Sequence, residues 1–377
     1  MNIYSFKNLK IYFKKHNFNK ILIIRGNKSF NKCEVKSQIK NTFKNIEFKS
    51  LIYKEQTPNY ENLLNVVQKF DKFEYDAILA VGGGKIIDVA KLFRFLVTNS
   101  NLTKFEILQK DFNNKKIFKS KKLIAIPTTT GSGSEVTPFA VMYVKNVKYS
   151  IAHRFIKPDF FIIDPKLTLS NSRFNIACSS LDALSQAIES YWSVKSNKSS
   201  IKYAKKSINL IIDNIDNAVN KKSIKALTNM ALAANYSGKA ISITQTTAPH
   251  ALSYSLTKIY KIPHGQAVSI FLYYFFEINY SFSDSSCNDK IGKKHVINKM
   301  NQLFFFFKVN NYHEMQSYFK NLCNSLGVEI DINTMKLNNK RIINTIIKNI
   351  NFERFSNNPT NVTRDRIYKI FNPNDHK

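Results

Sequence analysis

The stretch YDAILAVGGGKIIDVAKLFRFLV, residues 75–97, predicts the architecture of the first half of the chain. Its first seven residues are an apolar run typical of a buried strand, and KIIDVAKLFRFLV repeats apolar residues with a helical period. Three consecutive glycines, residues 82–84, separate the two patterns. A strand, a glycine turn and a helix together present bare N–H groups and the positive end of the helix to a phosphate. A tight turn without a ligand is the alternative, because the pattern is not GxGxxG.

A second loop of small residues follows the next strand. KLIAIP, residues 122–127, has the apolar character of a strand and leads into TTTGSGSEVTPFAV. The chain has only 10 glycines in 377 residues, and half of them lie in these two loops. Small hydroxyls and free amides can surround a ribose, a phosphate or a nicotinamide at little steric cost. An ordinary Ser/Thr-rich turn is the alternative.

A third strand, ILII at residues 21–24, ends in the turn RGNKS at residues 25–29. Strands that alternate with helical patterns indicate a parallel, doubly wound sheet, so we predict an α/β dinucleotide-binding domain. Domains that prefer NAD(H) usually place an acid where it binds the ribose 2′-hydroxyl. This turn has two cations and no acid, which favours NADP(H) over NAD(H).

The length of the chain and the order of its patterns predict two domains. A single core stops growing at about 250–300 residues, and this chain has 377. Strand signals fade after residue 168, and helical periodicity takes over. We therefore expect an α/β dinucleotide-binding domain at residues 1–168 and an all-α domain at residues 169–377.

The chain is strongly basic, with 57 Lys+Arg against 26 Asp+Glu and a formal net charge of +31. Its lysines are dispersed and it carries no nucleic-acid-binding signature, so we expect no specific nucleic-acid partner. The field should instead favour small anionic ligands. No apolar run approaches the ~18 residues that span a bilayer, and the N-terminus has no leader pattern. These features predict a cytoplasmic protein without a membrane partner.

The helical half contains ACSSLDALSQAIESYWS, residues 177–193, which opens near two serines that are candidate helix caps. The spacing i, i+4 and i+7 places Asp182, Gln186 and Glu189 on one face of this helix. A stripe of Leu, Ala and Ile beside them would pack into the core, where polar groups need partners. This face is therefore a candidate site.

Two histidines in matching surroundings offer partners for that face. His250 and His264 are 14 residues apart, and each directly follows a proline. Because proline fits the first turn of a helix, each histidine should lie near a helix start. Together with Asp182 they form a plausible mixed nitrogen and oxygen site for a divalent metal. For either histidine alone, a core or capping role is the alternative.

These motifs together resemble the iron-dependent (group III) alcohol dehydrogenase family, which shares its fold with dehydroquinate synthase and glycerol dehydrogenase. The resemblance runs from about residue 20 to residue 371. Its matching segments are GGGKIIDVAK (82–91), IPTTTGSGSEVTPFAV (126–141), DALSQAIE (182–189), PHALSYSLTKIYKIPHGQAV (249–268) and NNPTNVTRDRIYKIF (357–371).

Within that family, KYSIAH (148–153) and GKAISITQTTAPHALSY (238–254) most resemble phosphonoacetaldehyde reductases. These enzymes reduce phosphonoacetaldehyde to 2-hydroxyethylphosphonate in phosphonate biosynthesis. The resemblance implies a dehydroquinate synthase-like fold in which residues 169–377 form an all-α metal-binding and substrate domain. It also implies an active site in the cleft between the domains and hydride transfer from NADP(H) or NAD(H) to an aldehyde. A homo-oligomer is also implied, since family members are often dimeric or larger.

The family's usual metal ligands are an Asp and three His. By position they imply Asp182, His250 and His264 here, with Gln186 in place of the remaining His. A Gln carbonyl oxygen is a weaker ligand than imidazole, so iron(II) or zinc would be held by these four or by three and water. A further frequent family His, which lies four residues after His250, is replaced by Tyr254, which then becomes a candidate proton donor.

The resemblance also implies the remaining site residues. The residues expected to bind the dinucleotide are Gly83, Gly84, Lys85, Asp88, Thr128, Thr129, Ser134, Lys148 and Arg25. A phosphonate needs an anion pocket, for which cations and hydroxyls are the chemically suitable groups. The candidates are Lys239, Thr246, Thr247, His153 and Arg154.

The sequence is also consistent with three other functions. The same chemistry could act on another small aldehyde, an alcohol or a polyol. A non-reductase enzyme of the dehydroquinate synthase type would regenerate its dinucleotide and show no net NAD(P)H oxidation. A basic binding protein that has lost catalysis is the third reading, suggested by Gln186 and the charge of +31.

Overall fold

The computed structural model describes residues 6–27, 30–31, 35–43, 45–55, 57–70, 73–100, 102–109, 121–145, 147–350 and 352–371. Its contacts divide the chain into two compact units, Met1–Asn171 and Ser172–Lys377. The first unit contains a parallel sheet with helices, and the second is helical. The predicted combination of an α/β domain and an all-α domain is thereby confirmed.

The first unit is built on a five-stranded sheet with the order β2-β1-β3-β4-β7, in which all neighbouring strands are parallel. A separate antiparallel hairpin pairs β5 with β6. The strands are β1 (Lys20–Arg25), β2 (Glu47–Ile52), β3 (Ala77–Gly82), β4 (Lys122–Pro127), β5 (Phe139–Val144), β6 (Val147–Ala152) and β7 (Phe160–Phe161). Every residue of β3 is buried, as expected for a central parallel strand.

The helices of the first unit cover the sheet. They are α1 (Phe6–Lys15), α2 (Val35–Thr42), α3 (Tyr60–Phe70), α4 (Gly84–Thr98) and α5 (Lys104–Gln109). Side chains of α1 and α2 share one hydrophobic cluster with alternate residues of the sheet, among them Ile21, Ile23 and Leu79. The residues between them, such as Leu22 and Ile78, are equally buried, so both faces of the sheet are covered.

The strand register brings three loops to one edge of the sheet. Arg25, the last residue of β1, pairs with Val81, and Gly82 at the end of β3 pairs with Pro127 at the end of β4. The glycine loop, the Ser/Thr-rich loop and the turn after β1 therefore all begin at the carboxyl edge. That edge is where open α/β sheets bind their ligands.

The second unit consists of helices and the segments that connect them. They are α6 (Arg173–Trp192), α7 (Lys198–Asn220), α8 (Ile224–Thr244), α9 (Ala248–Lys258), α10 (His264–Ile278), α11 (Lys293–Phe306), α12 (Tyr312–Ser325), α13 (Lys340–Lys348), α14 (Phe352–Phe355) and α15 (Arg364–Phe371). No helix in the described ranges is both long and apolar enough to cross a membrane.

Helix α6 begins earlier than the serine pattern predicted. Its N-cap is Ser172, whose hydroxyl accepts a hydrogen bond from the backbone N–H of Asn175. The serines expected as caps lie inside the helix, where Ser179 donates to the carbonyl of Asn175 at 2.8 Å and Ser180 is buried. The prediction was wrong because serine inside a helix can satisfy its hydroxyl on the preceding turn.

Candidate functional site

The second unit brings Asp182, His250 and His264 together. Asp182 Oδ1 lies 3.4 Å from His250 Nε2 and 3.9 Å from His264 Nε2. One potential ligand atom from each of the three residues lies within 4.8 Å of the others. Asp182 and His250 are buried, whereas the His264 side chain is 36% exposed. The cluster is therefore accessible from the His264 side.

A glycine allows the helices that carry these residues to approach each other. A Cβ added to Gly265, the second residue of α10, would lie 1.8 Å from the carbonyl oxygen of Cys178 on α6. Only glycine permits this contact, which places the neighbouring His264 opposite Asp182. Sequence reasoning missed this role, although Gly265 lies within the quoted PHGQAV motif.

Both histidines lie at helix starts, as their prolines predicted. Helix α9 begins at Ala248 with Pro249 in its first turn, and His250 follows directly. His264 is the first residue of α10, and Pro263 is its N-cap. Their rings are 5.3 Å apart between centroids and nearly perpendicular, with an interplanar angle of 76°.

Glu189 orients the imidazole of His250. Its Oε1 contacts His250 Nδ1, and its Oε2 accepts hydrogen bonds from the backbone N–H of Thr247 at 2.7 Å and from the Thr247 hydroxyl at 2.8 Å. With Nδ1 held by a carboxylate, Nε2 faces Asp182, and such a partner also raises the basicity of a metal-ligating imidazole. The i+7 spacing marked Glu189 as part of the face but did not reveal this role.

The charges of the cluster shift the pKa values of its members. Burial alone would lower the pKa of His250, but Glu189 and Asp182 outweigh it and raise the pKa to about 9. Burial alone would raise the pKa of Asp182, yet interactions with His250 and His264 lower it overall. Asp182 is therefore a carboxylate, the protonation state that a metal ligand requires.

Two buried atoms of the cluster fit a divalent metal ion. Among the described residues, neither Asp182 Oδ1 nor His250 Nε2 has a hydrogen-bond partner, although both are out of contact with solvent. Leaving such atoms unsatisfied costs about 1–3 kcal/mol each. A cation bound between these atoms and His264 Nε2 satisfies both, and the donor set of carboxylate and imidazole suits iron or zinc.

Gln186 lies beside the cluster with its amide engaged by protein groups. Its Oε1 accepts a hydrogen bond from the Ser237 hydroxyl at 3.1 Å, and its side chain also hydrogen-bonds Asp182, which helps to lower the pKa of that acid. In this arrangement the amide oxygen faces Ser237 and the amide nitrogen faces Asp182. Ligation of a metal by Gln186 stays a prediction.

Tyr254 stacks on the accessible histidine. Its ring lies 6.2 Å from that of His264 between centroids, with an interplanar angle of 21°. Burial raises the pKa of Tyr254, while the charge of Arg354 and a hydrogen bond with Thr246 act in the opposite direction. The net result is a phenol that keeps its proton at neutral pH.

The loop before α9 is held in a strained conformation. Gln245 has φ 63° and ψ −175°, a region that side chains other than glycine rarely adopt and that persists only when its surroundings impose it. Asn357 provides that constraint by donating to Gln245 Oε1 and to the Thr246 carbonyl, both at 3.1 Å. Thr247 is fully buried and accepts a hydrogen bond from Trp192, which makes it a support for Glu189.

The glycine loop of the first unit fits a phosphate. Gly83 is the N-cap of α4 and provides no side-chain cap. The Ile86 N–H donates to the Gly83 carbonyl at 2.9 Å, so the N–H groups of Gly84 and Lys85 are the ones that suit an anion. A Cβ on Gly84 would lie 2.5 Å from the Ser132 hydroxyl, and one on Gly83 would lie 3.3 Å from the Thr129 hydroxyl. The two loops are therefore in contact, and they can approach this closely only because Gly83 and Gly84 have no side chain.

A buried lysine fastens the Ser/Thr-rich loop. Lys91 donates hydrogen bonds to Ser134 Oγ, Thr137 Oγ1 and the Phe139 carbonyl, at 3.0, 2.9 and 2.9 Å. Asp88 accepts from the Ser134 hydroxyl at 2.6 Å and lies 3.7 Å from the ammonium group. Asp88 and Ser134 thus hold the loop, and direct contact with the cofactor stays a prediction for both. Lys91 was missed because it reads as an ordinary helix residue.

The other residues predicted to bind the cofactor lie in the first unit. Thr128 is buried and its N–H donates to the Gly82 carbonyl at 3.0 Å. The ammonium of Lys85 donates to the Glu55 carbonyl at 2.8 Å. Arg25 donates to the Ser50 hydroxyl at 2.8 Å, and Lys148 lies on the hairpin strand β6. Lys28 lies outside the described residues.

The predicted anion-binding cations occupy different surroundings. In the second unit, the Lys239 ammonium lies 5.3 Å from the ring centroid of Tyr236. In the first unit, His153 caps a short 3₁₀ helix by accepting from the Phe155 N–H, while Arg154 is exposed.

Comparisons with known proteins identify the family of this chain. The family model described as "Iron-containing alcohol dehydrogenase" matches residues 2–165, and "Fe-containing alcohol dehydrogenase family, C-terminal" matches residues 176–374. 4-Hydroxybutyrate dehydrogenase of Clostridium kluyveri is 31% identical over 239 residues, which are 62% of this chain and 62% of that protein. Phosphonoacetaldehyde reductase of Streptomyces viridochromogenes is 30% identical over 228 residues, 59% of this chain and 58% of that protein.

The matched region thus spans less than two thirds of each of these relatives. Among solved structures, an iron-containing alcohol dehydrogenase from Thermococcus thioreducens has a TM-score of 0.83 at 24% identity, covering 98% of this chain and 95% of that one. Sulfoacetaldehyde reductase from Bifidobacterium kashiwanohense, in complex with NAD+, has a TM-score of 0.80 at 22% identity, with 99% and 98% covered. These two likenesses show the fold. With family models matched along both halves, the chain belongs to the iron-containing alcohol dehydrogenase family.

Proposed function

We propose that this protein is a metal-dependent NAD(P)H oxidoreductase that reduces a small anionic aldehyde to its alcohol. The observation that carries the proposal is the cluster of Asp182, His250 and His264, with two buried ligand atoms that a metal would satisfy. The reaction consumes one aldehyde, one NAD(P)H and one proton, and it yields one alcohol and one NAD(P)+.

Asp182, His250 and His264 would hold a divalent ion, iron(II) or zinc, and Glu189 keeps the His250 imidazole in the orientation in which Nε2 faces Asp182. When bound, the ion would supply a Lewis acid for the aldehyde oxygen, and a nicotinamide would supply the hydride.

Tyr254 is suited to deliver the proton. Its hydroxyl stays protonated because burial raises its pKa, and it hydrogen-bonds Thr246. Its ring stacks on His264, so the phenol lies beside the cluster. We assign Tyr254 as the donor that protonates the oxygen of the product alcohol, with Thr246 holding the hydroxyl in place.

We further propose phosphonoacetaldehyde as the substrate and 2-hydroxyethylphosphonate as the product. The proposal is supported by a relative of that name at 30% identity and by the net charge of +31, which attracts anions. Another relative, 4-hydroxybutyrate dehydrogenase, has a substrate with an acidic group on a short chain. The absence of an acid in the turn after β1 favours NADP(H) as the cofactor.

The test is NADPH and NADH consumption with phosphonoacetaldehyde, succinic semialdehyde and acetaldehyde, after anaerobic loading with iron(II) or zinc. We expect turnover that His264→Ala abolishes, whereas His313→Ala, which changes an exposed histidine on α12, leaves it intact. A preference for acetaldehyde would indicate that the substrate is an uncharged aldehyde rather than phosphonoacetaldehyde. Dinucleotide binding without net oxidation by any aldehyde would indicate a dehydroquinate synthase-like reaction and reject the proposal.

A further inference from the structure

We infer that Thr257 is a positioning residue for the metal site, which holds the His264 imidazole with its Nε2 towards Asp182. This inference rests on the proposed function, because it assigns a partner to one of the three residues proposed to hold the metal. The observation that carries it is a contact of 3.3 Å between the Thr257 hydroxyl and His264 Nδ1. The other ring nitrogen, Nε2, lies 3.9 Å from Asp182 Oδ1.

The hydroxyl of Thr257 determines which nitrogen of His264 is free to bind a metal. In a neutral imidazole, one nitrogen carries the proton and the other has an available lone pair. A hydroxyl that accepts a hydrogen bond from Nδ1–H leaves the lone pair on Nε2, the nitrogen on the side of Asp182. A hydrogen bond from the second nitrogen is the usual way in which a metal-ligating histidine is fixed in one tautomer and one orientation.

The spacing of residues on α9 places Thr257 on the face that borders the cluster. Thr257 lies seven residues after His250 and three after Tyr254, so the three side chains share one face of the helix. Tyr254 stacks on the His264 ring, with 6.2 Å between centroids and 21° between planes. The ring is thereby held by an aromatic contact and, at Nδ1, by a hydroxyl.

The connection between α9 and α10 returns His264 to the end of α9. After the helix ends, the Ile262 N–H donates to the Leu256 carbonyl at 3.1 Å. Lys261 has φ 60°, a left-handed conformation of the kind that ends helices. Because the backbone of this short connection is fixed in this way, Thr257 and His264 meet although they belong to different helices.

The hydroxyl of Thr257 is used differently from those of other helical threonines. Thr98, Thr228 and Thr345 each donate to the carbonyl four residues earlier, at 2.7 Å, which satisfies the hydroxyl within the helix. The partner that the structure describes for Thr257 is His264 Nδ1. Since a β-branched side chain has few rotamers in a helix, little entropy is lost when the hydroxyl makes this contact.

The two histidines of the cluster have partners of different strength. Glu189, a carboxylate, contacts His250 Nδ1, whereas a neutral hydroxyl contacts His264 Nδ1. A hydrogen bond to an ionised acceptor is roughly twice as strong as one between neutral groups. Thr257 should therefore contribute to metal affinity in the same direction as Glu189, but by less.

The test compares the zinc affinities of Thr257→Val, Thr257→Ser and Thr228→Val, measured by competition with a fluorescent chelator. Valine removes the hydroxyl and keeps the branched shape, whereas serine keeps the hydroxyl. We expect Thr257→Val to bind zinc about tenfold more weakly than wild type, the lower end of the effect of such partners. Thr257→Ser should bind nearly as tightly as wild type. Thr228→Val, which removes a hydroxyl from a similarly half-buried position on α8, should leave the affinity unchanged.

Equal zinc affinities in Thr257→Val and Thr228→Val would reject the inference and leave the proposed function standing. Failure of Thr257→Ser to restore the affinity would also reject it, because the hydroxyl would then not be the group that matters. Wild-type protein that shows the expected series of zinc affinities but reduces no aldehyde would instead reject the proposed oxidoreductase function and leave the role of Thr257 standing.

A measurement on the wild type tests the inference even if Thr257→Val does not fold. In NMR spectra of the zinc-loaded protein with isotopically labelled histidine, the signals of His264 are identified by their loss in His264→Ala. They should show a zinc-bound Nε2 and a protonated Nδ1 whose proton exchanges slowly with water. Zinc bound through Nδ1, or an Nδ1 proton in fast exchange with water, would overturn the inference.

Discussion

Glu189 Oε1 contacts His250 Nδ1, and the opposite nitrogen of that imidazole lies 3.4 Å from Asp182 Oδ1. The two carboxylates therefore lie on opposite sides of one ring, and Glu189 is the one in direct contact with it. Glu189 and Asp182 lie seven residues apart on α6, about two helical turns, so both project from the same face. The single helix α6 supplies both a proposed metal ligand, Asp182, and the residue that orients a second proposed ligand, His250.

Glu189→Gln should weaken metal binding without unfolding the protein. An amide keeps the shape of the side chain but removes the charge that orients the imidazole and raises its basicity, a change worth about 10- to 100-fold in metal affinity. Zinc affinity measured by competition with a fluorescent chelator tests this. Glu277→Gln, an exposed change on α10, is the control. Equal affinities in both variants would show that Glu189 has only a structural role.

Gly265→Ala should separate the helices that form the cluster. The added Cβ would lie 1.8 Å from the Cys178 carbonyl oxygen, so α10 must move away from α6. Overpacking of this kind costs about 1–3 kcal/mol, and zinc affinity should fall because His264 moves with the helix. Gly327→Ala is the control, since Gly327 has φ +72° but open space around it. An equal loss of stability with zinc affinity unchanged in both would contradict the close-contact explanation.

Gly84→Ala should impair dinucleotide binding by pushing the two loops apart. The new Cβ would lie 2.5 Å from Ser132 Oγ and 2.9 Å from Ser132 Cβ. We expect NADPH affinity, measured by fluorescence titration, to fall about tenfold or more, a loss of at least about 1.4 kcal/mol. Removing the colliding side chain in Gly84→Ala/Ser132→Gly should restore part of the affinity. If the double variant binds no better than the single one, the collision is not the cause.

Lys91 should make the free energy of unfolding increase with pH in the alkaline range. Its pKa is lowered from 10.5 to about 8, first because burial disfavours the charged form, although Asp88 and Glu135 oppose the shift. Between these values the unfolded chain binds more protons than the folded one, so the free energy of unfolding contributed by Lys91 rises with pH. Denaturant titrations of wild type and Lys91→Met should diverge in favour of wild type by up to about 3 kcal/mol across that window. Parallel pH profiles would contradict the lowered pKa.

The features that the sequence alone could predict are those that depend on local chain geometry. Strands β1, β3 and β4 occur within a residue or two of their predicted positions, because an apolar run that ends at glycine or at a turn forms a strand in most contexts. The prolines before His250 and His264 correctly placed both residues at helix starts, since the restricted φ of proline favours the first turn. The start of α6 was placed too late, because serine caps a helix or lies inside it depending on its surroundings.

Local sequence patterns were sufficient to predict the α/β and helical architecture and the cluster of Asp182, His250 and His264. The contacts that support this cluster form only when distant parts of the chain pack together. Gly265 matters because of a carbonyl 87 residues earlier in the chain, and Asn357 constrains a loop 111 residues before it. Such relationships join positions far apart in sequence, so neither periodicity nor motif spacing records them, and they exist only once the chain has packed.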